Sequence, residues 1–286
     1  MSEIIKARLR ITCPDKPGIV AAVTNFLHSH GVNITDLDQH STDAMGGVFF
    51  MRLEFYSENM AVIRPALESA FESVLGGPFE MDWQIDYTDR PRSVAILVSR
   101  FEHCLLELLW RWTRGELPCT ISAVISNHAD LKEAVERFGV PFHHVPVTAE
   151  TKAEAEARIL EAASDPDLVV LARYMQVLSP EFVDRFPGRI INIHHSFLPA
   201  FAGADPYRQA QERGVKIIGA TAHYVTAELD AGPIIEQDTA RVTHRNSVED
   251  FKDIGRDLER QVLARAVRWH LEDRIIAHNG RTMVFR

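Results

Sequence analysis

Three short stretches hold side chains whose types and spacing can do chemistry. In Asn192-Ile193-His194-His195-Ser196-Phe197-Leu198-Pro199, an amide and an imidazole stand two residues apart at the end of an apolar run that reads as a strand. Side chains alternate across a strand, so Asn192 and His194 share one face. An amide donor beside an imidazole suits the holding of a carbonyl oxygen as it gains negative charge. Gly219-Ala220-Thr221-Ala222-His223-Tyr224-Val225 reads as a second strand, and Leu229-Asp230-Ala231-Gly232-Pro233-Ile234-Ile235 as a turn entering a third. A turn alone does not explain a carboxylate, Asp230, at the rim where the Asn192–His194 strand also ends. A single histidine is more often structural than catalytic, and His194 stands out among the 13 through these neighbours. The adjacent His194-His195 pair raises the alternative of a metal. The chain has no HExxH motif and no Cys/His cluster at zinc-ligand spacing, so no metal is expected.

The elements that must position these groups follow from periodicity. The first 86 residues read as strand, helix, strand, strand, helix, strand, the ferredoxin-like split βαββαβ unit. The strands are expected over 7–12, 32–37, 48–56 and 79–85. The first helix runs over 19–27, and the second over 60–75 with a stop at Gly76-Gly77-Pro78. A polar, proline-broken linker over 87–92 separates this domain, 1–86, from a second over 93–286. There, strands over 94–99, 120–126, 168–172 and 190–194 alternate with helices over 103–115, 130–138, 151–163 and 180–185. Two more strands follow over 217–225 and 234–239. A long helix over 247–270 and a short strand pair, 274–277 with 282–285, complete the chain. The alternation predicts an α/β fold with a doubly wound, mostly parallel sheet. Ligands of such sheets sit beyond the carboxyl ends of the strands, here just after Ser99, Ala172, Asn192 and Val225.

Composition bounds the partners. Of 286 residues, 46% are hydrophobic and 25% charged, which suits packed globular domains. The net charge of −9, with no concentrated basic face, argues against a nucleic-acid partner. No apolar run approaches the ~20 residues of a membrane span, and the N-terminus has no secretory apolar region. The cysteines, Cys13, Cys104 and Cys119, form an odd set that fits a reducing compartment. The expectation is a soluble cytoplasmic protein with a small-molecule substrate.

The motifs N-I-H-x-S-x-L-P, G-A-T-A-H-Y-V and D-A-G-P-I-I, in this order, resemble those of the folate-dependent formyltransferase-fold enzymes, a likeness extending roughly over 91–286. The resemblance implies that Asn192, His194 and Asp230 are the catalytic residues, supported by Thr221 and His223. It also implies that Met175, Gln176, Val177 and Leu178, in the run 171–179, receive the pterin ring, with 225–230 as the other wall. The N-terminal block resembles an ACT domain through Cys13-Pro14-Asp15-Lys16-Pro17-Gly18-Ile19-Val20 and Gly31-Val32-Asn33-Ile34. Such modules commonly bind amino acids and pair edge to edge. The resemblance therefore implies a homo-oligomer, with Gly18 and Asn33 as contacts for an effector such as glycine or methionine, or assembly alone.

An ACT domain joined to a formyltransferase-like domain is similar to the formyltetrahydrofolate deformylase family. These are hydrolases that release formate for purine synthesis and balance one-carbon pools. The folate is then substrate and no cofactor is expected. The alternatives are a transferase acting on an amine acceptor, and a non-catalytic amino-acid or folate sensor. The residues favour water as acceptor. A ribonucleotide acceptor needs glycines whose backbone N–H groups approach its phosphate, and Val98-Ser99-Arg100-Phe101-Glu102-His103-Cys104 has none. Two positions depart from the pattern: Asp205 stands where the deformylases are expected to carry Arg, and Gln176 where the transferases often do.

Overall fold

The computed structural model describes residues 4–200 and 206–286. The chain divides into two units. One holds residues up to Pro91 with Asp273–His278 and Met283–Arg286; the other holds Arg92–Glu272 and Asn279–Thr282.

In the first unit, β1 (Lys6–Pro14) turns into α1 (Ile19–Ser29), and β2 (Asn33–Ser41) pairs with β3 (Val48–Tyr56). Helix α2 (Met60–Phe71) follows. The expected stop at Gly76-Gly77 is not there: Glu72–Gly76 form a π turn and Gly77–Phe79 a last helical turn, α3, before Glu80 turns left-handed. Gly76 allows a close approach instead. Trp83 Nε1 donates to Glu72 at 2.7 Å beside it, and a Cβ on Gly76 would collide with both side chains. Strand β4 (Asp82–Tyr87) completes an antiparallel sheet of order β2-β3-β1-β4, the split βαββαβ arrangement. Strict alternation in β1 turns Ala7, Leu9, Ile11 and Cys13 into a core with Val23, Leu27, Leu67 and Phe71 of the two helices.

The second unit begins with β5 (Arg92–Val98), α4 (His103–Thr113), β6 (Cys119–Ser126), α5 (Lys132–Glu136) and β7 (Phe142–His144). It continues through α6 (Lys152–Ala163), β8 (Leu168–Leu171), α7 (Pro180–Asp184), β9 (Ile190–His194) and α8 (Pro206–Glu212). Then come β10 (Ile217–Tyr224), β11 (Ile234–Arg241) and α9 (Val248–Leu271). The seven strands lie in the order β11-β10-β9-β8-β5-β6-β7, parallel from β9 to β7 and antiparallel at β10 and β11. Val94–Val98 and Leu168–Leu171 are buried throughout, as the inner strands of a covered parallel sheet must be. The three-residue edge strand β7 and the helix α8 are absent from the sequence expectation. Ser247 and Asp250 form a capping box that starts α9, satisfying backbone donors the first turn leaves free.

The hairpin of β12 (Ile275–His278) and β13 (Arg281–Val284) marks where the division departs from the expected 93–286 domain. The outer face of strand β3 carries Val48 and Phe50 beside Arg52 and Glu54, and Phe50 is sealed by Ile276 and Phe285. Arg52 donates to the Asp273 carbonyl at 3.1 Å, and the buried Asp273 carboxylate lies 3.6 Å from both Arg8 and Arg10. Phe50, fully buried, is therefore expected to cost about 3–5 kcal/mol when truncated to Ala, whereas exposed Val62→Ala stays within about 0.5 kcal/mol; urea unfolding of the two variants checks this.

Candidate active site

The ends of four strands converge. Ser99, just past β5, donates its backbone N–H to the Arg173 carbonyl at 3.2 Å, and its hydroxyl accepts from the Met175 N–H at 3.0 Å. These bonds tie the loop after β8 to the neighbouring strand. Met175, Gln176, Val177 and Leu178 from that loop, with Val225, Thr226, Ala227, Leu229 and the ends of β9 and β10, line a cleft of about 290 Å³ that also holds Asn192, His194, His223 and Asp230. Met175 and Val177 expose apolar surface. The cleft lies beyond the carboxyl ends of the parallel strands, where open α/β sheets bind ligands.

Register assembles the polar cluster. In the antiparallel β9–β10 pair, Asn192 faces His223 and His194 faces Thr221. The His223 Nδ1–H donates to the Tyr224 carbonyl at 2.9 Å, because a carbonyl can only accept. In the neutral ring, Nε2 is then the acceptor for the Asn192 amide at 3.2 Å. Asn192 has two amide hydrogens, so the second stays available. Buried Thr221 donates to the Ser196 carbonyl at 2.9 Å and accepts from the Leu198 N–H at 3.1 Å and the Gln237 amide at 2.9 Å. Its hydroxyl is saturated and anchors the chain that leaves His194.

Asp230 enters from the turn between β10 and β11 with φ 55, a left-handed conformation that aspartate tolerates better than most residues. Two residues on, Gly232 runs so close to the Tyr224 carbonyl that a Cβ there would overlap it. The Asp230 carboxylate lies 3.2 Å from His194 Nδ1 and 3.6 Å from His223 Nε2. The His194 N–H holds the Asp230 carboxyl well below the usual carboxylate range; partial burial opposes this and loses. On the far side of its ring, His194 Nε2 is buried with no hydrogen-bond partner among the described residues. That nitrogen can meet a ligand atom.

All the cleft residues expected from sequence are brought together here: Asn192, His194, Asp230, Thr221 and His223, with Met175, Gln176, Val177 and Leu178. Gly18, exposed at φ 94 before α1, and Asn33, exposed at the start of β2, lie in the first unit. Asp205 lies outside the described residues. Sequence reading missed a second carboxylate. Buried Glu259 of α9 accepts from His103 at 2.8 Å and from the Tyr207 hydroxyl at 2.7 Å, with Arg173 Nε at 3.5 Å. Burial works to raise the Glu259 carboxyl, but the His103 hydrogen bond, the Arg173 charge and the Tyr207 hydroxyl outweigh it and hold it low. Burial and the Arg173 charge push His195, beside the catalytic candidates, down to about 4, so it is neutral near pH 7. The one available signal was an acid among the apolar positions of α9.

Because the Asp230 carboxyl is depressed in the folded chain, its ionised form adds stability above its unfolded value of about 3.9. That contribution is lost as pH falls through the lower folded value. The stability difference between the wild type and Asp230→Asn is therefore expected to persist down to about pH 4 and to vanish in stronger acid, as read from thermal unfolding across pH.

Comparison with known proteins matches both parts of the chain. The formyl transferase family model matches residues 92–267, and the ACT domain model residues 7–70. Formyltetrahydrofolate deformylase of Bacillus subtilis is 53% identical over 98% of this chain and 94% of its own length. That of Escherichia coli is 45% identical over 99% and 100%. Among solved structures, a formyltetrahydrofolate deformylase from Pseudomonas syringae aligns at TM-score 0.94 and 48% identity, covering 100% of this chain and 96% of that one. Glycinamide ribonucleotide transformylase 1 from Symbiobacterium toebii aligns at TM-score 0.63 and 34% identity, over 68% of this chain and 95% of that one. The transformylase thus matches only part of the chain, whereas the deformylases match both the regulatory-type module and the cleft-bearing domain; the chain belongs to the formyltetrahydrofolate deformylase family.

Proposed function

We propose that the chain hydrolyses 10-formyltetrahydrofolate to formate and tetrahydrofolate, with Asn192, His194 and Asp230 carrying the chemistry. The observation behind this reading is the polar trio gathered at one end of a cleft with apolar walls, beside the unpartnered Nε2 of His194. The pterin is received along Met175, Gln176, Val177 and Leu178, and the folate is a substrate, not a resident cofactor. The chemistry calls only on water and on side chains of the chain.

Water adds to the formyl carbon and gives a tetrahedral oxyanion. The free Asn192 amide hydrogen donates to it as a neutral partner, and protonated His194 donates through Nε2 as a charged one. Asp230, bonded to the other face of that imidazole, orients the attacking water. A carboxylate held so far below its usual range is a poor resting base. As the oxyanion forms against the imidazolium, that positive charge is neutralised, its hold on Asp230 weakens, and Asp230 can relay the water proton towards N10. The C–N10 bond then breaks with N10 protonated, and the formic acid so formed gives its remaining acidic proton to solvent and leaves as formate. Thr221 and His223 keep the loop, the Asn192 amide and the carboxylate in register.

Gly18 and Asn33 support an amino-acid effector site in the ACT module, with glycine or methionine as ligand and a homo-oligomer as its setting. The exposed strand β2 offers the edge for pairing. No helix among the described residues is long and apolar enough to cross a membrane. The three free thiols suit the cytoplasm.

The deciding experiment is formate release from 10-formyltetrahydrofolate with and without glycinamide ribonucleotide. Release without acceptor supports hydrolysis, formyl transfer only with acceptor supports a transferase, and neither supports a sensor. His194→Ala and Asp230→Asn are each expected to bind folate and lose about a hundred- to thousandfold in kcat. Near wild-type turnover in either would sink the assignment. For the ACT module, isothermal titration should give saturable heat with glycine or methionine that is lost in Asn33→Ala; silence in the wild type leaves the module to assembly.

A further inference from the structure

Behind the folate cleft lies a second one of about 200 Å³. Arg173 and His195 line both, and Phe101, Tyr207, Lys252 and Arg256 complete the walls that matter here. Arg173 is 8% exposed and left-handed at φ 62. Its Nε and Nη1 are buried and lack hydrogen-bond partners among the described residues. Its contacts are a long ion pair to Glu259 at 3.5 Å and the Phe101 ring, whose centroid is 5.2 Å away. The Glu259 oxygens are engaged by His103 and Tyr207. A buried guanidinium with unused donors is costly unless something fills them. Water or an anion can do so in this cleft, and a carboxylate matches the planar fork.

The charges choose the anion. Lys252 and Arg256 are already paired along α9, with Glu249 and Asp253 respectively. Glu259 brings a negative charge into the lining. The neutral His195 adds none. Arg173 is shared with Glu259 at 3.5 Å, so the lining has no surplus positive charge and tolerates at most a small monoanion on the unfilled guanidinium donors. A phosphate dianion would bring a second negative charge beside buried Glu259 with nothing in the lining to balance it.

We propose that this cleft is a subsite for a small carboxylate, and that the carboxylate is the formate released in the folate cleft. The reading rests on the hydrolysis proposed above. That reaction places the hydroxyl of water on the formyl carbon and a proton on N10, and the formic acid released beside His194 gives its proton to solvent to become one formate anion. The His194 and His195 rings are 5.3 Å apart, and those of His195 and Tyr207 6.0 Å, so the rings run from the reacting centre into the second cleft. Formate captured by Arg173 leaves the folate cleft while tetrahydrofolate is still bound.

The test is titration of ¹³C-formate into the full-length protein saturated with tetrahydrofolate, read by NMR line width. Saturable binding is expected, with affinity lowered about ten- to a hundredfold in Arg173→Met. Arg173→Lys, which keeps the charge and loses the fork, should also bind more weakly than wild type. If Arg173→Met fails to fold by circular dichroism, Arg173→Lys carries the test, with weakened binding expected. The subsite is overturned if formate does not saturate, if tetrahydrofolate excludes it, or if the folded variants bind as wild type does. Tighter competition by inorganic phosphate would overturn the choice of a carboxylate. No turnover is needed, so failure here is distinct from failure of formate release in the hydrolysis assay.

Discussion

At the end of β9 a carboxylate lies 3.2 Å from one imidazole and 3.6 Å from another, and the surrounding chain keeps it there, ionised and half-shielded. The His223 ring is oriented by the Tyr224 carbonyl and the Asn192 amide. The His194 ring follows the strand it ends, and the loop beyond it is secured by the saturated hydroxyl of Thr221. Asp230 reaches both rings only because its own backbone is left-handed and Gly232 lets the turn close on Tyr224. Removing any one support would loosen the geometry before it changed the charge.

Glu259 offers the contrasting solution. It is almost wholly buried, and its charge survives because His103, Tyr207 and Arg173 surround it. Asp230 is partly open and its partners are histidines, whose charge can change during a reaction. One carboxylate is sealed among distant partners, and the other stands in the cleft beside two imidazoles. Arg173 lies between the two situations, half-committed to Glu259 and lining both clefts.

Much of this was legible residue by residue. Alternation in 7–12 announced a half-buried strand, and the apolar runs at 94–99 and 168–172 announced covered ones. Asn192 and His194 share a face because strands have a period of two, which needs no tertiary information. The stop at Gly76-Gly77 was misread because glycine serves two purposes: it ends helices, and it admits close neighbours, here Trp83 and Glu72. Strand β7 escaped because three residues are too few to show a period. The outer face of β3 carried a signal, apolar Val48 and Phe50 opposite the core face, and the cover of Phe50 comes from residues more than 200 positions later.

The sequence by itself determined which elements form, which faces of them are apolar, and that an amide, an imidazole and a carboxylate fall at strand ends and turns. These are local properties, set by backbone periodicity and by the chemistry of single residues. Only the tertiary structure decided that β10 lies antiparallel to β9 in the register that sets His223 against Asn192. It also decided that Asp230 reaches His194, that Glu259 finds three partners from distant segments, and that Arg173 keeps donors unfilled. Register and long-range charge pairing depend on which segments the whole core brings into contact, and a linear pattern carries no record of that choice.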